Sequence, residues 1–88
     1  MEQTEEIRKE TAGIIKNAAE HAGEGNYSKA RSKISEAMQK IYWTDAQVYH
    51  ELDDIKGILE MLPEPDQKGH LPRNMRNWLL TIMDHIEE

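Results

Sequence analysis

Apolar residues recur every three to four positions in four stretches of this chain, and this spacing limits its possible folds more than any other feature. Residues three or four apart share one face of an α-helix, whereas a half-buried strand alternates apolar and polar residues. No sustained alternation occurs, and phenylalanine is absent. The chain is therefore predicted to be all-α, with an apolar stripe on each helix facing a common core.

Two of these stripes are especially regular. The predicted stripe of the second helix consists of Tyr27, Ala30, Ile34, Ala37, Met38 and Ile41. The predicted stripe of the third helix consists of Val48, Leu52, Ile55, Leu59 and Leu62.

Capping residues indicate where the first two helices begin and end. The first is predicted over residues 5–22, with Thr4 as its N-cap. Gly23 suits the left-handed position that follows many helices. The second helix is predicted to begin after Asn26, another good N-cap.

The third helix has the clearest start signal. Thr44 to Gln47 matches the capping box, in which the N-cap side chain and the third helical residue bond each other's backbone. Trp43, just before it, is expected to pack as a hydrophobic staple onto Val48. Pro63 is predicted to end the helix, because proline disfavours helical geometry in the residue before it.

The fourth helix follows a loop at residues 63–71, with Pro72 predicted at its first position, where a missing N–H costs nothing. The 88 residues suit one domain, 1–88, with no linker. Short connections among the first three helices favour antiparallel neighbours. The predicted architecture is a single-domain, four-helix, up-and-down bundle.

Composition excludes several classes of protein. There is no cysteine, so disulfides, thiolate metal sites and thiol nucleophiles are excluded, and a reducing, cytoplasmic location is favoured. The acidic N-terminus is unlike a signal peptide. The longest apolar run, at 78–80, is too short to cross a bilayer, so no membrane association is expected. The net charge of −6 disfavours nonspecific binding to nucleic acid.

Catalytic, metal and cofactor motifs are missing from the sequence. No serine lies in a nucleophile elbow, and the glycines form no phosphate-binding loop. His50 and Asp54, four residues apart, supply two ligands where a structural zinc site needs four. We therefore predict a protein that is not an enzyme and has no metal or cofactor.

Two partial resemblances to known families accompany this interpretation. The stretch from Ala18 to Ala22, with Gly25 to Ala30 and Ala37, resembles one tetratricopeptide hairpin over about residues 12–41. It occurs once, so no solenoid follows. The C-terminal half, from Ile58 through Pro72 and Arg76 to Glu87, is similar to an uncharacterised archaeal family of small helical proteins. That resemblance implies a helical fold and no particular activity.

A small basic group surrounds the start of the fourth helix. Lys68, Arg73 and Arg76 lie near a helix N-terminus, which is itself suited to binding phosphate. These residues support an alternative function, that of a nucleic-acid-associated regulator. The acidic total charge and the small number of cations argue against it.

A second surface is apolar. Ile58 and Met61 lie beside the core stripe of the third helix, and Leu80 and Met83 lie beside that of the fourth. A helix that is apolar on more than one face usually contacts more than one neighbour. We therefore predict a non-enzymatic protein-interaction module, such as a small adaptor, inhibitor or antitoxin-like regulator. Its partner is another protein or a second copy in a homodimer.

A third candidate surface is aromatic. Tyr42, Trp43 and Tyr49 gather where the second and third helices meet. Tryptophan and tyrosine are enriched among the residues that dominate binding energy at interfaces. These rings are candidates to anchor a partner, although the staple role of Trp43 is the simpler account of them.

Overall fold

Four helices make up the described part of the chain. The computed structural model describes residues 2–62 and 70–87. Its helices are α1 (Glu2–Gly23), α2 (Tyr27–Ile41), α3 (Ala46–Met61) and α4 (His70–Glu87). Each helix packs against the next along the chain, and α4 packs against α1. No strand occurs within these ranges, so the predicted all-α four-helix bundle is confirmed.

The core consists mainly of the predicted stripes. All six residues of the predicted α2 stripe are buried. In α3 the first four predicted residues are buried, and Leu62, just beyond the helix, is half-buried against the core. α1 contributes many small side chains, including Ala18, Ala19 and Ala22, so α2 and α4 can approach it closely. The one buried polar side chain of the described core, Thr11, donates its hydroxyl to the Ile7 carbonyl at 2.7 Å.

The turn between α1 and α2 corrects one predicted role. The residue with positive φ is Gly25, at 83°, whereas Gly23 is the last residue of α1. The Asn26 N–H donates to the His21 carbonyl at 2.9 Å, which closes the end of α1. A glycine at position 23 has a different use, since a Cβ there would lie 3.0 Å from Arg76 Cδ on α4. Asn26 is the N-cap of α2 as predicted, its Oδ1 accepting from the Lys29 N–H at 3.3 Å.

A salt bridge joins the middle of α1 to the C-terminal end of α2. Lys40 Nζ donates to the Glu10 carboxylate at 2.7 Å. This hydrogen bond, with the negative charge of Glu10, raises the pKa of Lys40 above its ordinary value. Both side chains are exposed, so the pair marks the antiparallel register of the hairpin and adds little stability.

The start of α3 also differs from the prediction. The N-cap is Asp45, whose Oδ1 accepts from the Val48 N–H at 3.2 Å. Thr44 lies in the preceding turn, and its N–H donates to the Ile41 carbonyl at 2.9 Å. The other Asp45 oxygen, Oδ2, accepts from Arg8 Nη1 on α1 at 3.1 Å. This contact between distant segments favours Asp45 over Thr44 as the N-cap of α3. The Trp43 staple is also wrong, because 90% of the Trp43 side chain is exposed.

Asp45→Ala is expected to lower the free energy of unfolding by about 1 kcal/mol, because it removes a helix cap and the acceptor of Arg8. Thr44→Ala is the matched control and is expected to leave the free energy unchanged within about 0.5 kcal/mol. Urea unfolding of both variants measures the difference. Equal losses would mean that Thr44 shares the capping.

Three other helix boundaries were predicted with mixed success. α3 ends at Met61, and Leu62 has extended backbone angles (φ −93°, ψ 139°), as expected for a residue that precedes Pro63. α4 begins at His70, so Pro72 is its third residue and not its first. A proline is tolerated there because the first-turn N–H groups have no partner within the helix. Thr4 lies inside α1, which begins at Glu2, and is not its N-cap.

Within the described ranges, no helix has both the length and the apolar character needed to cross a membrane.

Candidate protein-binding surface

The turn between α2 and α3 places two aromatic side chains on the outside of the bundle. Ile41, the last residue of α2, is fully buried, and its carbonyl accepts from the N–H groups of Thr44 and Asp45 at 2.9 and 3.0 Å. These contacts fix the backbone of the turn against the bundle and leave the Tyr42 and Trp43 side chains on its outer side. These two side chains are 47% and 90% exposed.

Tyr42, Trp43 and Tyr49 form one connected group, which we call the aromatic corner. The Tyr42 and Trp43 rings meet edge to face, with centroids 4.7 Å apart and planes at 90°. The Tyr42 and Tyr49 rings meet similarly, at 5.0 Å and 83°. Edge-to-face contact is favourable because the positive ring edge faces the negative ring surface. Tyr49 in turn packs against the core, so Trp43 is exposed but supported.

Two grooves flank the aromatic corner, and all three of its rings line both. The α2-side groove measures about 460 Å³. Its other lining residues are Ser35, Met38, Gln39 and Lys56. The α3-side groove measures about 520 Å³ and is completed by Ala46 and His50. The aromatic corner is therefore a ridge with a concave surface on either side.

The charges next to the two grooves have opposite signs. Lys56 lines the α2-side groove. Ala46, Tyr49 and Asp53 are spaced three and four apart, so they form one row on α3. This row continues from Ala46 and Tyr49, which line the α3-side groove, to the exposed Asp53, which forms no salt bridge in the described ranges. Sequence reasoning missed His50 and Asp53 here, although their spacing from Tyr49 and Ala46 was available as a signal.

The four residues of the predicted apolar surface differ in exposure. Met61 is 84% exposed and Ile58 37% exposed. Leu80 and Met83 are half-buried and pack against the core. The first pair is thus available to a partner, whereas the second is already largely used within the bundle.

The two pairs also face different sides of the bundle, the α3 pair on one side of α4 and the α4 pair on the other. Ile58 follows Glu51 by two helical turns and shares its face, and Glu51 contacts His85 of α4 at 3.2 Å. Leu80 follows Arg76 by one turn, on the side of α4 that meets Gly23 of α1. The structure therefore brings Ile58 and Met61 together on α3 but does not join them to Leu80 and Met83 in one patch.

The basic residues are only partly described. Lys68 lies outside the described residues. Arg73 and Arg76 are exposed and three positions apart on α4, so they are neighbours on its surface. Their role in nucleic-acid binding stays a prediction.

Polar side chains that suggested metal or acid–base chemistry are dispersed. His50 and Asp54 are both exposed on α3. A smaller pocket of about 200 Å³ lies beside Asp45, Glu51 and His85. There Asp45 caps α3 and pairs with Arg8, while Glu51 contacts His85. In the part of the chain that the structure describes, no three histidine or carboxylate side chains are placed to share a metal ion.

Comparison with known proteins indicates no function for this chain, so a functional argument depends on its geometry. No protein-family model matches the chain, and neither a curated protein nor a solved structure gives a significant match. The tetratricopeptide-like hairpin and the archaeal resemblance accordingly stay predictions, and the aromatic corner is the feature on which a functional argument can rest.

Proposed function

We propose that this chain is a non-enzymatic protein-interaction module that binds a protein partner through the aromatic corner. A small adaptor, inhibitor or antitoxin-like regulator fits this description. The absence of cysteine supports action in a reducing compartment such as the cytoplasm. The observation that carries the proposal is the 90% exposure of Trp43 on a supported aromatic ridge between two grooves.

The energetic argument rests on what Trp43 does in the isolated chain. Tryptophan is one of the largest apolar side chains, and here it contributes almost nothing to the core. Its ring contacts Tyr42, which contacts Tyr49, so part of the side-chain freedom is restricted before a partner binds. Supported aromatic anchors of this kind are the residues whose truncation typically costs about 2 kcal/mol or more at interfaces.

The test is affinity capture from an extract of the native host, with the wild type, Trp43→Ala and Met61→Ala as immobilised baits. Met61→Ala is the matched control because Met61 is also highly exposed and apolar but lies at the other end of α3. A specific partner is expected on the wild type and on Met61→Ala. Its affinity for Trp43→Ala is expected to fall at least about 30-fold, the equivalent of 2 kcal/mol.

Both substitutions are expected to leave the melting temperature of the monomer unchanged, because neither side chain is buried within the chain. A partner that binds Trp43→Ala as well as the wild type would remove the aromatic corner from the proposal. A partner lost only on Met61→Ala would transfer the binding site to Ile58 and Met61.

Self-association is a separate part of the proposal and rests on Ile58 and Met61. A two-fold dimer covers an exposed apolar pair with the same pair from a second copy. Light scattering across a dilution series is expected to approach twice the 10.2 kDa chain mass at high concentration. Met61→Glu is expected to return the monomer. A wild type that stays monomeric at every concentration would exclude the homodimer.

A further inference from the structure

We propose that the α3-side groove receives an arginine side chain from a basic segment of the partner protein. This inference rests on the proposed function and deepens it by assigning the chemistry of the partner. It concerns the space bounded by the aromatic corner, Ala46 and His50, and the exposed Asp53, which follows Tyr49 by four positions on α3.

The first argument is the chemistry of the groove walls. The Ala46 side chain is small, so the exposed indole and the phenol rings provide most of the lining. The negative π-faces of such rings attract cations, and tryptophan attracts them most strongly. A guanidinium group is flat and weakly hydrated, so it stacks on an indole with a smaller loss of hydration than an ammonium group.

The second argument is charge complementarity. Asp53 lies one helical turn beyond Tyr49, where neighbouring side chains are about 5–6 Å apart at Cβ. It is exposed and forms no salt bridge in the described ranges, although Lys56 follows it by three positions. An arginine that stacks on the rings has N–H groups left to donate to such a carboxylate, in paired hydrogen bonds. Asp54 and Glu60, also exposed on α3 without cationic partners among the described residues, favour further basic residues in the same segment.

The third argument distinguishes the two grooves. The α2-side groove shares the same three rings but contains Lys56, whose positive charge repels an incoming cation. The α3-side groove contains no lysine or arginine among its lining residues. A cationic side chain is therefore assigned to one side of the aromatic corner only.

The experiment is a selection of binders from a library of random twelve-residue peptides, performed on the wild type and on Trp43→Ala. Peptides recovered on the wild type are expected to be enriched in arginine and to be lost on Trp43→Ala. The best peptide is then measured against Asp53→Asn and Asp84→Asn. Both variants remove the same charge from an exposed aspartate, but Asp84 lies on α4, which contributes no lining residue to the groove.

Asp53→Asn is expected to weaken binding about threefold to tenfold, whereas Asp84→Asn is expected to change it less than about twofold. Replacing the peptide arginine by citrulline, which is flat but uncharged, is expected to weaken binding similarly. Peptides that require Trp43 but show no arginine enrichment would overturn this inference and leave the protein-interaction function standing. Equal effects of the two aspartate variants would likewise overturn this inference and leave the protein-interaction function standing. A failure to recover any peptide that requires Trp43 would also overturn this inference, whereas the proposed function is decided by the affinity capture.

Discussion

Leu52→Ala is expected to lower the free energy of unfolding by about 2–5 kcal/mol, the usual cost of removing most of a buried leucine. Leu52 is fully buried in α3. A domain of 88 residues has a total stability of about 4–13 kcal/mol, at 0.05–0.15 kcal/mol per residue. One substitution therefore removes a large share of the total. Urea unfolding measures the loss. The slope of the free energy of unfolding against urea concentration is expected to stay unchanged.

Ile55→Val is the matched control for this experiment. It removes one methylene group from a neighbouring, fully buried position and is expected to cost about 0.5–1.5 kcal/mol. A loss for Leu52→Ala no larger than that for Ile55→Val would mean that α3 is not packed on the core as described.

Ala30→Leu is expected to lower the free energy of unfolding by about 1–3 kcal/mol, through crowding instead of a cavity. Ala30 is fully buried in α2. The Glu10–Lys40 salt bridge and the turn near Gly25 place residue 30 level with residue 20 of α1. The buried α1 side chains on either side of that level are Ala19 and Ala22. Because Ala30 is fully buried and these α1 side chains are small, a leucine at position 30 is expected to push α1 and α2 apart.

Ser32→Leu is the corresponding control, since Ser32 is exposed on the same helix. It is expected to change the free energy of unfolding by no more than about 0.5 kcal/mol. Circular dichroism during thermal unfolding compares the two variants. Equal stability of Ala30→Leu and the wild type would show that the alanines do not determine the separation of α1 and α2.

Most of the fold follows from local patterns in the sequence. The α2 stripe was predicted residue by residue, because an apolar residue every three to four positions has only one way to face a core. The exact helix starts were less accessible. Both Thr44 and Asp45 are good capping residues, and the contact that distinguishes them comes from Arg8, which is 37 positions away in the sequence.

The candidate binding surface was predicted in part. The sequence places Tyr42, Trp43 and Tyr49 close together, but local spacing also allowed Trp43 to fold back onto Val48. Helical spacing likewise shows that Leu80 lies off the core stripe but does not reveal which neighbour covers that flank. In the structure it packs against the core. Exposure of a side chain depends on helix neighbours, which a periodic pattern does not identify.

The unequal packing of the four helices has a consequence for binding. α1 contacts both α2 and α4 extensively, whereas the contact of α3 with α4 is the smallest of the four. Helices with fewer packed neighbours open more readily, and their amide hydrogens then exchange with solvent. A partner seated on the aromatic corner would contact both the end of α2 and the start of α3. Such a partner would hold α3 to α2, and α3 is the helix with the least contact with the rest of the bundle. Affinity for the partner and resistance of α3 to opening would therefore rise together.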